Sequence, residues 1–395
     1  MKILLIILLF FFPPKQNAIK QFTISDISKV AATPFWTKDN KNNPVLCWTE
    51  KDSLSRIAFY YSISSNEGKT FGEKKRIPIS TEASAHAEGM PKLAFKADGT
   101  MIASYEKRRP TKDQPRASDF LYIVSNDNGK SWSAENYFHK DINAGIGHSF
   151  GDISRLANGE IGAVWLDASI KEGGRNVKFC QTTKGNGFGE EILVDSSACQ
   201  CCRTDVFSGK NGNIYLVYRD IHLGSMRDIS QMVSADGGKT FKKPTRVFAD
   251  NWQLKGCPHT GPTLAETSKG LYMTWFTGAE EKVGIKICKV GTGKVIAAQI
   301  NSKVRFPHLV AVGENLAWVW AENYEKKGTG FTKIGLQIIY PNGNTKTQYF
   351  GTDEAFCNYP NVINTPENNL LLAYEHQIGE EKKQIKYQLI LMNEL

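Results

Sequence analysis

Long apolar stretches are almost absent from this 395-residue chain. After the run Ile3–Phe12 no segment has the roughly 20 apolar residues that a membrane-spanning helix needs, so no later segment is expected to cross a bilayer as a helix. Blocks of like charge are missing too. The net charge of +9 comes from 49 basic and 40 acidic residues, but the lysines are scattered, in pairs such as Lys74-Lys75 and Lys382-Lys383. This argues against a dedicated nucleic-acid groove, and no nucleic-acid partner is expected. Cysteine is sparse: 8 residues are too few for a disulfide scaffold, though enough for one or two bridges in an oxidising compartment. No long segment shows a 3.6-residue apolar period, which excludes a helical bundle. No linker rich in Pro, Ser or Gly divides the chain, which argues against an array of separate β-sandwich domains.

The amino terminus does carry a signal. Lys2 precedes the short apolar run, and the small residue Ala18 follows it. This reads as a signal peptide over residues 1–18, although Gln16 is a poor residue ahead of the cut, and an uncleaved anchor is the alternative. Residues 19–395 are then expected to form one exported domain without a membrane span, periplasmic, cell-surface or extracellular, and monomeric. A mildly basic exported protein suits anionic glycans or surfaces.

An internal repeat organises the chain. One phrase recurs as Ser64-Ser-Asn-Glu-Gly-Lys-Thr-Phe71, Ser125-Asn-Asp-Asn-Gly-Lys-Ser-Trp132 and Ser234-Ala-Asp-Gly-Gly-Lys-Thr-Phe241. Its chemistry is that of a rigid turn: Asp or Asn caps backbone N–H groups, Gly takes a positive φ, and the aromatic packs beneath. A second phrase is a short strand ending in an aromatic: Val45–Trp48, Met101–Tyr105, Ile161–Trp165, Ile214–Tyr218, Leu271–Trp275, Leu316–Trp320 and Leu370–Tyr374. Ahead of each lies another strand, entered at Pro34, Pro91, Asp152, Thr204, Pro262, Pro307 and Pro360. Units of roughly fifty residues with about four short strands each predict an all-β fold, a β-propeller of four-stranded blades. Seven blades are expected, with six as the alternative. The last unit runs out after its third strand, and Phe22–Ile27 is expected to supply the missing outer one.

The recurring turns resemble the Asp boxes of the sialidase-like β-propeller superfamily, the BNR-repeat proteins. Two copies match fully and one by substitution, and the repeat covers nearly the whole mature chain. The resemblance implies the fold but leaves activity open, because Asp boxes occur in sialidases, other glycosidases and non-catalytic propellers. It also implies that the Asp boxes lie between third and fourth strands, on the face away from the active site. The opposite face is then built from the loops leading into each first strand and those following each second strand.

Those loops concentrate reactive residue types. The lead-in loops hold His86, Glu88, His148, Cys199, Cys201, Cys202, Arg203, Cys257, His259, Arg305 and Tyr359; the others hold Arg219, Asp220, Arg227, Asp228 and Glu375. Sialidases use a Tyr nucleophile, activated by a carboxylate, with arginines that bind the substrate carboxylate as charge-assisted forks. The resemblance implies Tyr359 as nucleophile and Glu375 or Asp220 as activating or acid/base carboxylates. Arg203, Arg219, Arg227 and Arg305 would bind anionic groups, with Asp228 as a partner. His86, Glu88 and His259 would complete the pocket, and Trp252 would stack on a sugar ring. The departures are specific. Arg76-Ile77-Pro78 follows the first Asp box instead of preceding it, and Arg203 stands where the family places a base Glu.

Three readings stay open. The first is an exported propeller that binds or hydrolyses a glycan, in the manner of an exo-sialidase, with no cofactor required. The second is a non-catalytic propeller that binds a glycan or a protein. The third is a Zn or Cu site formed by Cys199, Cys201, Cys202, Cys257 and His259. Against the third stands a disulfide from Cys199, Cys201 or Cys202 to Cys257. Cys47, Cys180 and Cys288 fall in strand patterns and are expected to be buried free thiols.

Overall fold

The computed structural model describes residues 21–168, 174–185, 187–254, 256, 258–379 and 382–395. The expected signal peptide and Cys257 lie outside them. Every regular element among the described residues is a β-strand, 28 in all. No helix is long and apolar enough to cross a membrane.

Each repeat folds as a four-stranded antiparallel meander. Five such sheets are separate, and the other eight strands form one joined sheet. Its two halves meet at a single parallel pair, Thr332 with Phe356, and each half is again a four-stranded meander. The first strands Val30–Lys38, Lys92–Phe95, Ser149–Arg155, Asp205–Ser208, Thr263–Thr267, Val304–Val312 and Phe356–Asn364 touch one another in a closed circuit. They surround a central axis, as the inner strands of a propeller do. The seventh meander takes its outer strand from the start of the chain: Gln21–Thr23 pairs antiparallel with Lys386–Gln388.

The aromatic-ended strands are the second strands. Trp48, Tyr105, Trp165, Tyr218, Trp275, Trp320 and Tyr374 are all fully buried. They sit between neighbouring blades, in clusters such as Trp320 with Trp252, Ile285 and Leu309, where each large ring removes apolar area from water on two blades at once. Cys47, Cys180 and Cys288 are buried and unbridged in the strands. Burial pushes the Cys288 thiol up to about 12.

The three Asp boxes connect third to fourth strands. In the first, Ser64 Oγ accepts from the Gly68 N–H at 2.8 Å, and Asn66 Oδ1 accepts from the Thr70 N–H at 2.9 Å. Gly68 has φ 83°, and a Cβ there would lie 2.3 Å from the Leu371 side chain. Arg76 and Ile77 lie in the outer strand Lys75–Ile77 of the first blade. In a meander, the loops between third and fourth strands emerge at one end of the blade and the lead-ins to first strands at the other. The Asp boxes and the lead-in loops are therefore on opposite faces.

Candidate functional site

Every blade sends at least one residue of its first strand into a single cavity on the axis. These are Phe35, Lys92, Asp152, Asp205, Thr263, His308 and Asn361. The cavity is about 570 Å³ including its open mouth, and Arg203, Phe306 and Tyr359 also line it. In the sequence six of the seven directly follow a residue at which the chain is expected to enter a first strand, Pro34, Pro91, Thr204, Pro262, Pro307 and Pro360, and the seventh, Asp152, is itself such a residue. That adjacency is the signal by which they could have been found. Lys92, Asp205 and His308 carry no signal of their own in the sequence because they fall inside strand patterns, and Asp152 is marked there only as a strand entry.

The first strands are strained in a repeated way. Four first strands carry a β-bulge, at Ala32/Phe35, Ser149/Asp152, Arg305/His308 and Asn358/Asn361. Each bulge contains a non-glycine residue with positive φ: Thr33 at 58°, Phe150 at 58°, Phe306 at 54° and Tyr359 at 51°. A bulge re-aims side chains and breaks the ladder, and a positive φ costs energy that surrounding contacts must supply. Carboxylates of the preceding blade supply some of it. Glu375 Oε1 accepts from the Thr33 N–H at 2.8 Å, and Glu106 Oε1 accepts from the Phe150 N–H at 2.5 Å.

Tyr359 stands in the cavity with its ring 4.3 Å from that of Phe306. Burial raises its phenol pKa, and the negative charges of Glu375 and Glu88 add to the rise. Arg203 is gripped by Glu88, which accepts from the Arg203 backbone N–H and from Nη1, both at 2.8 Å. The Lys92 ammonium lies 2.6 Å from Asp152 Oδ1 and also donates to the Gly151 carbonyl. Asp152 Oδ2 accepts from the Val206 N–H, and Asp205 Oδ2 from that of Leu264. Burial, and then the adjacent hydrogen-bonded Asp152, push the Asp205 carboxyl up to about 8. Near neutral pH the pair therefore holds one proton, because two carboxylates in contact resist ionising together. Burial, reinforced by the positive charges of Arg203 and Lys92, lowers His308 to about 3. A protonated carboxyl, a neutral imidazole, a phenol and a guanidinium thus share one cavity, a set suited to proton transfer on a bound ligand.

Other expected site residues lie elsewhere. The guanidinium of Arg219 is buried and donates to the carbonyls of Arg227, Thr260 and Phe276, tying the fourth blade to the fifth. Trp252 is not free to stack on a sugar: it is buried, lies under Arg219 and meets Phe276 edge-on. Asp228 accepts from Arg246 and from the backbone N–H groups of Asn251 and Trp252. Arg305 donates to the carbonyls of Ser302 and Val304 and lies 4.3 Å over the Phe276 ring. Asp220 is buried among Ser197, Ser230 and the Ile221 N–H, and does not line the cavity. Glu375 is held on its other oxygen by Lys383 at 2.8 Å. His86 is exposed near the rim, with Nε2 3.9 Å from Glu106. His259 is exposed with φ 49°. Cys199, Cys201 and Cys202 are buried and gathered together.

A family model described as BNR repeat-like domain matches residues 49–259, just over half of the chain. The chain belongs to the BNR repeat-like family. No curated protein matches the sequence. Among solved structures, polysaccharide lyase Uly1 is similar with a TM-score of 0.56 and 12% identity, over 97% of this chain and 93% of that one. The intramolecular trans-sialidase from Ruminococcus gnavus gives 0.55 and 12%, over 95% and 98%. A protein of unknown function from Dyadobacter fermentans gives 0.54 and 16%, over 95% and 99%. At these identities the likeness establishes a sialidase-like BNR propeller as the fold.

Proposed function

We propose that this BNR propeller is exported and acts on a glycan in its axial cavity, hydrolysing a terminal anionic sugar. The observation that carries this is the convergence of all seven first strands on one cavity that holds Tyr359, Arg203 and the proton-sharing Asp152–Asp205 pair. The fold neighbours that are named as a trans-sialidase and a polysaccharide lyase support a carbohydrate ligand. Arg203 meets the sugar carboxylate as Glu88 yields one of its contacts. Asp205 gives its proton to the leaving glycosidic oxygen. Tyr359 attacks the anomeric carbon while its phenolic proton passes to Glu375, whose charge acts on the phenol; a water that gives its proton to the now ionised Asp205 then displaces the sugar, and Tyr359 takes its proton back from Glu375. A phenol suits this step because a carboxylate nucleophile would be repelled by an anionic sugar.

One observation favours recognition without turnover: Arg203 is already neutralised by Glu88, and Arg219 and Arg305 are held by backbone carbonyls away from the cavity. Sialylated, uronate-bearing and neutral oligosaccharides, assayed for binding and for released sugar, separate the two. Hydrolysis predicts that Tyr359→Phe binds the acidic glycan but releases nothing, whereas Arg203→Ala binds about tenfold more weakly or worse. Binding by the wild type without release leaves a recognition module. Full release by Tyr359→Phe removes the nucleophile assignment.

A further inference from the structure

The joint between the second and third blades holds a constellation that the glycan reading does not use. Asp119 lies at the start of the third strand of the second blade, Ser118–Ser125, and His139 lies just past the fourth, Asn136–Tyr137. His148 directly precedes the first strand of the third blade, Ser149–Arg155, and Asp167 closes the second, Ile161–Asp167. One ring nitrogen of each histidine and a carboxylate oxygen of Asp119 lie within 4.8 Å of one another, and all three residues are buried. The lead-in to the third blade is fixed in place. The His148 N–H donates to the Ser118 carbonyl at 2.7 Å, and Ser118 Oγ donates to the His148 carbonyl at 3.2 Å.

The polar atoms of this cluster are unevenly satisfied. His139 Nδ1 donates to the Asp141 carbonyl at 2.7 Å, so Nε2 carries the lone pair. It faces Asp119 Oδ1 at 3.7 Å and accepts only a long contact, 3.3 Å, from the Phe120 N–H. Asp119 Oδ2 is taken by Arg109 at 3.1 Å, whereas Oδ1 is buried without a hydrogen-bond partner. A lone pair and a carboxylate oxygen turned towards each other repel unless a positive charge lies between them. His148 is completely buried. Its Nε2 has no hydrogen-bond partner, and its Nδ1 comes within 2.9 Å of Asp167 Oδ1 without the alignment of a hydrogen bond. Buried polar atoms left bare in this way call for a partner.

We propose that Asp119, His139 and His148 bind a zinc ion at the joint between the second and third blades. Imidazole nitrogen and carboxylate oxygen are zinc donors, and zinc, with no d-electron preference for geometry, tolerates an uneven donor set. Each histidine already has beside it the kind of group that orients a ligating imidazole: the Asp141 carbonyl for one and the Asp167 carboxylate for the other. Donors bound to zinc at about 2.0 Å stand about 3.3 Å apart in a tetrahedron, so His139 and Asp119 have little distance to close. The two rings lie face to face, 3.5 Å between centroids and 8° between planes. Lone pairs on parallel rings do not converge, so uptake turns the planes apart. These donors leave a fourth position, whose occupant the spectrum below reports. Because the ligands come from both blades, the ion clamps the lead-in of the third blade to the second. The inference does not rest on the glycan reading.

The test is a zinc titration of the metal-free full-length protein against a chromophoric chelator, followed by X-ray absorption at the zinc edge. The expected result is a bound ion with a nitrogen and oxygen shell near 2.0 Å and the outer scattering of two imidazoles. His148→Gln should bind one zinc fewer per chain than the wild type, and Cys202→Ser should keep the ion. Asp167→Asn, which removes no ligand, should weaken binding by roughly 10–100-fold. Melting of each metal-free variant separates lost binding from lost folding, and the wild-type spectrum decides the shell without any variant. No uptake by the wild type, a shell of sulfur alone, fewer than two imidazoles, or equal zinc content in wild type and His148→Gln would overturn the inference. Glycan binding measured on the metal-free wild type shows whether the axial site stands independently.

Discussion

The Asp-box turns and the axial mouth belong to the same repeating unit, yet they treat their polar groups in opposite ways. In the turns, every capping atom finds a partner nearby in sequence. Asp236 accepts from Ser234 Oγ, the Lys239 and Thr240 N–H groups and Thr240 Oγ1. Asp127 does the same with Ser125 and Ser131, and those hydrogen bonds hold its carboxyl down to about 2. At the mouth, partners come from other blades, and the fit is incomplete. Asp205 is pushed up, His308 Nδ1 is buried without a partner, and four bulge residues sit at positive φ. One face caps its backbone groups locally and acts as scaffold, with the Trp132 indole N–H its one Asp-box group buried without a partner among the described residues. The other keeps its polar demands unresolved, as sites of chemistry do.

The largest test of this contrast is Lys92→Met. It leaves Asp152 buried opposite no cation, and breaking such a pair costs about 3–5 kcal/mol. Denaturant unfolding should show that loss, and a change under about 1 kcal/mol would mean that water already screens the pair. Next is Gly68→Ala on the scaffold face. A Cβ at 2.3 Å from Leu371, with φ 83°, should cost roughly 1–3 kcal/mol without altering ligand binding. Smaller, when taken over a single pH unit, is a pH effect at the mouth. The Asp205 pKa is raised above its unfolded value near 3.9, so the native state holds the extra proton. Stability should therefore fall as pH rises from about 4 to about 8, by at most about 1.4 kcal/mol per pH unit. Asp205→Asn should flatten that decline in a series of melting temperatures. The smallest effect has the opposite sign. Asp127 is depressed, so its contribution is present above about 4 and fades as pH falls towards 2. Asp127→Asn should matter least at the acid end.

The same contrast explains what could be read from sequence. Asp boxes are local, so eight consecutive letters carry their hydrogen bonds, and the fold followed from them together with the buried aromatics of the second strands. The position of Tyr359 and Arg203 at the axial end was legible because each directly precedes a residue at which the chain enters a first strand, Pro360 and Thr204. Arg219 and Trp252 were not: the sequence places each at a loop, but only the neighbouring blade decides that Arg219 turns towards the Thr260 and Phe276 carbonyls and covers the indole. Asp205 and His308 look like ordinary strand residues. Their character comes from Asp152, Lys92 and Arg203, each contributed by a different part of the chain.

The pairing of Gln21–Thr23 with Lys386–Gln388 sets an order of assembly during synthesis. The first described strand to leave the ribosome is among the last to find its place, because its partner is made 363 positions later. The intervening blades are free to dock one after another, each on its predecessor. The seventh alone must wait for both ends of the chain, and until it forms, its neighbours present bare apolar sheet faces. A nascent chain halted shortly before its end would therefore hold most of its blades and still be an open arc, exposed to association with other chains.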